Sequence, residues 1–182
     1  MTASNAALEQ SQYLSFFLAG EEFGIGILKV KEILEYGAVT RVPTTPPWIR
    51  GVINLRGSVV PVVDLAVKFG LAESAVTRWS CIVIVETELE GERAVMGVVA
   101  DAVSQVIDLT SADIEPPPAF GSRVRVEFLL GMGKLDQKFV LLLDIDKLLS
   151  TSELVTVATA AVEPSAAEAR GPEVAQGEAA TA

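Results

Sequence analysis

Apolar positions along the chain fall into short β-branched runs separated by glycine, proline and acidic turns, the pattern of many short strands. The least ambiguous stretch, residues 51–65, reads Gly-Val-Ile-Asn-Leu-Arg-Gly-Ser-Val-Val-Pro-Val-Val-Asp-Leu. Two β-branched runs, 52–55 and 59–63, flank Arg56, Gly57 and Ser58, which predicts a hairpin whose tip carries one cation. Pro61 has no N–H to give to a ladder, so its strand is expected to lie at a sheet edge or to carry a bulge. Asp64 is placed to cap a short helix that runs through Phe69 and stops at Gly70.

The remaining runs extend this reading. Residues 13–18 and 23–27 around Ala-Gly-Glu-Glu predict another hairpin, 28–31 a single helical turn, and 32–36 a further strand. Pro43, Pro46 and Pro47 then force an irregular crossing that presents Trp48. A second set starts at Ser80. Residues 81–87 and 94–100 flank Glu-Leu-Glu-Gly-Glu, 103–109 alternate, and Pro116, Pro117 and Pro118 make a stiff connector. Residues 126–130 and 139–143 are the last strands, and 144–149 form a short helix.

The two sets read as copies. Gly51, Leu55 and Asp64 recur eighty residues on as Gly131, Leu135 and Asp144. Gly24, Ile25, Val30, Ile33 and Pro43 recur seventy-three residues on as Gly97, Val98, Val103, Val106 and Pro116. The difference of seven is loop growth where insertions are tolerated. About five strands per half, with frequent turn signals, predict two small antiparallel barrels, because closure hides strand edges.

Composition narrows the function. Half of the 182 residues are apolar, enough for a core, and the net charge of −10 argues against nucleic acid and against anionic lipid surfaces. Part of that charge is local: from Glu153 onward there are five glutamates and one arginine. The absence of histidine removes the commonest general base and metal ligand, and Cys81, alone in an apolar run, reads as an inert reduced thiol. No phosphate-loop, dinucleotide or nucleophile-elbow motif is present, so neither an enzyme nor a cofactor or metal is expected. No secretory pattern opens the chain and no apolar run approaches the roughly 18 residues of a membrane span, so a cytoplasmic protein without direct membrane insertion is expected. Residues 1–11 read as a flexible arm, and 156–182, rich in alanine and glutamate, as a disordered acidic tail.

Asn-Leu-Arg-Gly followed by Val-Val-Pro-Val-Val-Asp-Leu resembles the signature of the CheW family of bacterial chemotaxis coupling proteins. Val30-Lys31-Glu32-Ile33, Thr40-Arg41-Val42-Pro43 and the approach from Pro46 to Gly51 fit it as well, and the likeness covers roughly residues 12–152. It implies an all-β fold of two SH3-like five-stranded barrels with a few short helices and a hydrophobic groove between them. On this reading residues 12–155 form the CheW-like domain, with subdomains of roughly 12–78 and 79–150. The resemblance further implies a non-catalytic adaptor that couples the cytoplasmic tip of chemoreceptors to the regulatory domain of the chemotaxis histidine kinase, associated with receptor arrays or rings.

Arg56 is the sharpest candidate for a binding role: a guanidinium on a tight tip suits a carboxylate, and Glu32 in the same half is a natural partner. The alternative is an ordinary solvated turn arginine, whereas the resemblance implies that both residues serve assembly with receptor and kinase. Asn54 and Gly57 are expected to fix the turn, and Gly51 to permit either a close backbone approach or a bulge. Val30, Ile33, Val103 and Val106 hold corresponding places; taken singly each reads as core, and the resemblance implies that they line the receptor groove. Asp64 and Asp144 read as helix caps rather than as a carboxylate pair for hydrolysis. The rival function is a small barrel binding a ligand or oligonucleotide, which would need a basic or aromatic strand face that this composition does not supply.

Overall fold

The computed structural model describes residues 10–117 and 126–149. Its strands are β1 (Gln10–Leu18), β2 (Glu21–Gly26), β3 (Val30–Glu35), β4 (Ile49–Leu55), β5 (Ser58–Val63), β6 (Cys81–Leu89), β7 (Glu92–Ala100), β8 (Ala102–Thr110), β9 (Ile114–Glu115), β10 (Leu129–Leu135) and β11 (Lys138–Leu143). Two short helices, α1 (Leu65–Lys68) and α2 (Ile145–Leu148), and 3-10 turns at Ile27–Lys29, Ser111–Asp113 and Val126–Phe128 complete the described part. The strand expected over 126–130 is therefore a turn first, with β10 starting at Leu129.

The hairpins form where the turn chemistry demands. Each tip has two residues, and the first takes positive φ: Ala19, Arg56, Glu90 and Asp136 lie between +50° and +56°. Such turns match the right-handed twist of the flanking strands. Asp64 caps α1 through Ala66 N and Val67 N, and Asp144 caps α2 through Lys147 N, as both aspartates predict.

The strands make a six-stranded sheet, ordered β8-β1-β2-β11-β10-β9, and a five-stranded sheet, ordered β3-β6-β7-β5-β4. The fold is mostly β, as expected, but the barrels are not closed by backbone hydrogen bonds: β3 and β4 edge one sheet, β8 and β9 the other. Pro61 is not on an edge strand. β5 lies between β4 and β7, but β7 pairs only with Val62 and Val63, so Pro61 sits just outside the doubly paired part.

The internal repeat keeps its register where the two copies meet in parallel pairs. Val62 pairs with Gly97, and Leu142, eighty residues after Val62, pairs with Gly24, seventy-three before Gly97. Val30 and Ile33 face Val85 and Val83, while Val103 and Val106 face Phe16 and Leu14, with a register shift in each pair of strands at the same place. The two sheets are nonetheless not the two sequence halves divided near residue 78. The β1–β2 hairpin lies in the sheet of β8–β11, and the β6–β7 hairpin in the sheet of β3–β5. Each copy places its first hairpin in the other's sheet, because β3 and β8 pair with β6 and β1 across the repeat.

Packing follows from that exchange. The central core draws Leu14, Phe16, Phe23 and Ile25 from one sheet and Val63, Val83, Met96 and Val98 from the other. Smaller clusters fill the interior of each sheet, Val60, Val62, Ile82, Ile84 and Val99 in one, Ile107, Leu109, Val140 and Leu142 in the other. The helices meet beside the center, where Lys68 Nζ donates to the Leu148 carbonyl at 2.7 Å. Trp48, expected as a presented side chain, instead packs half-buried against this core with Lys68 Nζ 4.3 Å above its ring. Most of the N-terminal arm, Pro118 and the acidic tail lie outside the described residues.

Candidate functional site

The β4–β5 tip is built by its own sequence. Arg56 and Gly57 take φ of +52° and +89°, and Gly57 N donates to Asn54 Oδ1 at 2.8 Å, so the asparagine closes the turn that the glycine permits. The fixed backbone aims Arg56 at β3. Its two terminal nitrogens donate to Glu32 Oε1 at 2.7 Å and Oε2 at 2.9 Å, a bidentate fork.

Glu32 lies on one free edge of the five-stranded sheet, and Arg56 at the end of the strand that forms the other. Side chains thus join across an opening that backbone pairing leaves. The bonds from Arg56 hold the Glu32 carboxyl below the ordinary glutamate range, and Glu32 in turn raises the pKa of Arg56. The pair stays ionised at neutral pH and remains on the surface, with Arg56 largely exposed.

A second contact narrows the same opening. Thr40 and Val52 exchange backbone hydrogen bonds of 2.9 and 2.8 Å. Gly51 makes room for it: its φ is +148°, and a Cβ there would collide with the Thr40 carbonyl. The β4–β5 register also shifts between Ile49 and Gly51. Close approach and bulge, alternatives in the sequence, are both present.

Val30 and Ile33 on β3, and Val103 and Val106 on β8, each lie on the core-facing side of their own sheet. Residues directly opposite on paired strands point the same way, and all four lie opposite residues of the central core: Val85, Val83, Phe16 and Leu14. Val30 and Val103 pack half-buried against that core, whereas Ile33 and Val106 are 42% and 47% exposed. Each sheet thus carries, at positions related by the repeat, one core-packed valine and one exposed apolar side chain.

Two features escaped the sequence. Val59 and Phe139, eighty residues apart, are exposed apolar residues next to the two tips. In runs such as Val59-Val60-Pro61-Val62-Val63 every position is apolar, so alternation could not single them out. The other is Arg50, whose Nη2 donates to buried Asp64 Oδ2 at 3.1 Å and whose Nη1 meets Glu73 at 3.1 Å. The cap carboxylate thus also belongs to a buried ion pair.

Among the described residues no group of three or more His, Cys, Asp or Glu side chains is placed to hold a metal, and no helix is long and apolar enough to cross a membrane. Burial, with Glu35 nearby, pushes the Cys81 thiol up, away from the reactive thiolate.

Comparison with known proteins agrees with this architecture. The model of the CheW-like domain matches residues 12–153. A chemotaxis protein CheW of Klebsiella aerogenes is 44% identical over 146 residues, covering 80% of this chain and 86% of the relative. Protein FrzA of Myxococcus xanthus is 34% identical over 158 residues, covering 86% and 95%. The crystal structure of the scaffolding protein TtCheW from Thermoanaerobacter tengcongensis superposes with a TM-score of 0.69 at 34% identity, over 80% of this chain and 91% of that one. Sequence, register and three-dimensional likeness converge, and the chain belongs to the CheW-like family.

Proposed function

We propose that this protein is a non-catalytic adaptor that couples the cytoplasmic tips of chemoreceptors to the regulatory domain of the chemotaxis histidine kinase. The observation that carries this reading is the Glu32–Arg56 fork, held on the surface by a rigid turn next to exposed Ile33. A preformed charged clasp beside an apolar rim suits recognition, because little side-chain ordering remains to be lost on binding.

In this reading Val30, Ile33, Val103 and Val106 line a groove for the receptor's helical tip, as an amphipathic helix lies in an apolar groove. Gly51, Asn54 and Gly57 act indirectly, keeping Glu32 and Arg56 in place. The repeat offers mirrored kinase-facing surfaces, which permits rings and extended arrays at the cytoplasmic face of the membrane. Residues 12–155 form the adaptor unit, and weak individual contacts add through multivalency.

Co-sedimentation of receptor signalling fragments with the kinase, with and without this protein, tests the reading. Kinase should enter the pellet only when the adaptor is present, and Arg56→Asp should weaken that recruitment while leaving the circular dichroism spectrum unchanged. Recruitment by the folded variant equal to that of the unaltered protein overturns the role of Arg56, and recruitment independent of the adaptor overturns the function.

A further inference from the structure

Asp146 lies on the first turn of α2, and both of its carboxylate oxygens accept bonds from another part of the molecule. Lys29 Nζ donates to Oδ2 at 2.7 Å, the Thr87 hydroxyl to Oδ1 at 2.7 Å, and Glu88 N to Oδ1 at 3.4 Å. Lys29 directly precedes β3, whereas Thr87 and Glu88 belong to β6, the neighbour of β3 in the five-stranded sheet. α2 follows β11 of the six-stranded sheet with Asp144 alone between them. One carboxylate thus ties the two sheets together.

The tie has no counterpart across the repeat. The places of Asp146, Lys29 and Thr87 are held in the other copy by Ala66, Ala102 and Leu14, whose side chains form no hydrogen bonds. Apolar packing serves there, so cohesion of the sheets does not call for a charge. Lys29 and Asp146 are each 42% exposed, and so wet an ion pair adds little stability. Burial pushes the Asp146 carboxyl up, but Lys29, Thr87 and Glu88 outweigh it and hold it below its ordinary range, so the carboxylate stays charged at neutral pH. What the three directional bonds supply is a fixed position.

That position falls beside Val30, which follows Lys29 and pairs with Val85, two residues before Thr87. We infer that Asp146 is a positioning residue for the receptor groove, setting how far β3 stands from β8. The inference rests on the receptor reading above, in which Val30 and Ile33 on β3 form one side of the groove and Val103 and Val106 on β8 the other. A groove held at its width before the receptor arrives has less freedom to lose on binding. The bond from Lys68 to the Leu148 carbonyl holds the other end of α2 to α1, so loss of the Asp146 carboxylate loosens β3 without detaching the helix.

The test uses the full chain. Asp146→Ala should bind a receptor signalling fragment about fivefold to tenfold more weakly, at a temperature where variant and unaltered protein are both folded, and adding Lys29→Ala should weaken binding little further. Asp146→Asn, which keeps an acceptor for Thr87 and Glu88 N, should lose less. Without any partner, spin labels at Ile33→Cys and Val106→Cys in the chain carrying Cys81→Ser should report a distance distribution that broadens when Asp146→Ala is added. Equal affinity of Asp146→Ala and the unaltered protein, or an unchanged distance distribution, overturns the inference. Failure of the unaltered protein to bind the fragment overturns the receptor reading instead, and the label distances then decide by themselves whether Asp146 fixes the two sheets.

Discussion

The β4–β5 and β10–β11 hairpins occupy equivalent places in the two copies and have been put to different uses. Both follow a register shift after a buried first residue, both turn on a residue with φ near +54°, and both end in an aspartate that caps a helix. The first carries Arg56 locked to Glu32, and its aspartate is buried against Arg50. The second carries Asp136 at the tip, Gln105 in the place of Glu32 and Leu130 in the place of Arg50. Its neighbouring cation, Lys138, instead contacts Glu22 at 2.6 Å, a charge contact rather than a well-aligned hydrogen bond. Burial pushes the Glu22 carboxyl up, but Lys138 and the Ser15 hydroxyl outweigh it and hold it below its ordinary range. The shared scaffold is thus set by glycine, aspartate and β-branched positions, and individuality resides in a few charges added to it.

Substitution in pairs can break this comparison. The largest difference is expected at the capping aspartates. Asp64→Ala removes a cap and one of the two carboxylates that pair with the mostly buried Arg50, Glu73 remaining, and should cost about 2 to 4 kcal/mol in urea unfolding, whereas Asp144→Ala loses a cap alone, about 1 kcal/mol. Equal losses would mean that the Arg50 pair contributes nothing.

Next come the glycines. Gly51→Ala forces a Cβ into the Thr40 carbonyl at positive φ and should cost about 2 to 3 kcal/mol. Gly131→Ala meets an Ile114 methyl at 2.7 Å and the Glu115 carbonyl at 2.8 Å, without the positive φ, and should cost less. A reversed order would show that the Thr40 approach yields easily.

At the tips the effect moves from stability to binding. Arg56→Asp should leave the unfolding midpoint nearly unchanged, since an exposed pair adds little. It should nevertheless lower kinase recruitment by about tenfold or more. Asp136→Asn should change neither.

The smallest effect concerns pH. Glu32 has a lowered pKa in the folded state, so its contribution is present above the unfolded value and is lost only as pH falls through the lowered one. Carboxyl-carbon NMR should show Glu32 titrating below the ordinary glutamate range, and Arg56→Gln should return it toward that range.

Much of this architecture was legible in advance because hairpins announce themselves locally. Asn54, Arg56 and Gly57 specify a turn, Asp64 and Asp144 specify caps, and the recurrence of glycine with proline and aspartate exposed the duplication. The partnership of sheets was not legible. A strand records which of its faces is apolar, but not whether it pairs with its own copy or the other, so the division near residue 78 misses the exchanged hairpins. The Glu32–Arg56 clasp could be suspected from charge alone, while its part in bridging two free edges needed the strand order. Arg50 was hidden because Asp64 already had a sufficient role as a cap.

The exchange of hairpins has a bearing on how such a molecule arose and how it must assemble. A single ancestral copy would leave its opening hairpin without a host and its own sheet without a center, whereas two separate copies trading hairpins about a twofold axis satisfy every strand. Fusing such a dimer into one polypeptide yields the present order, and neither half on its own retains a complete sheet. Cutting the chain between α1 and β6 should therefore give not two domains but two partners that fold only on meeting.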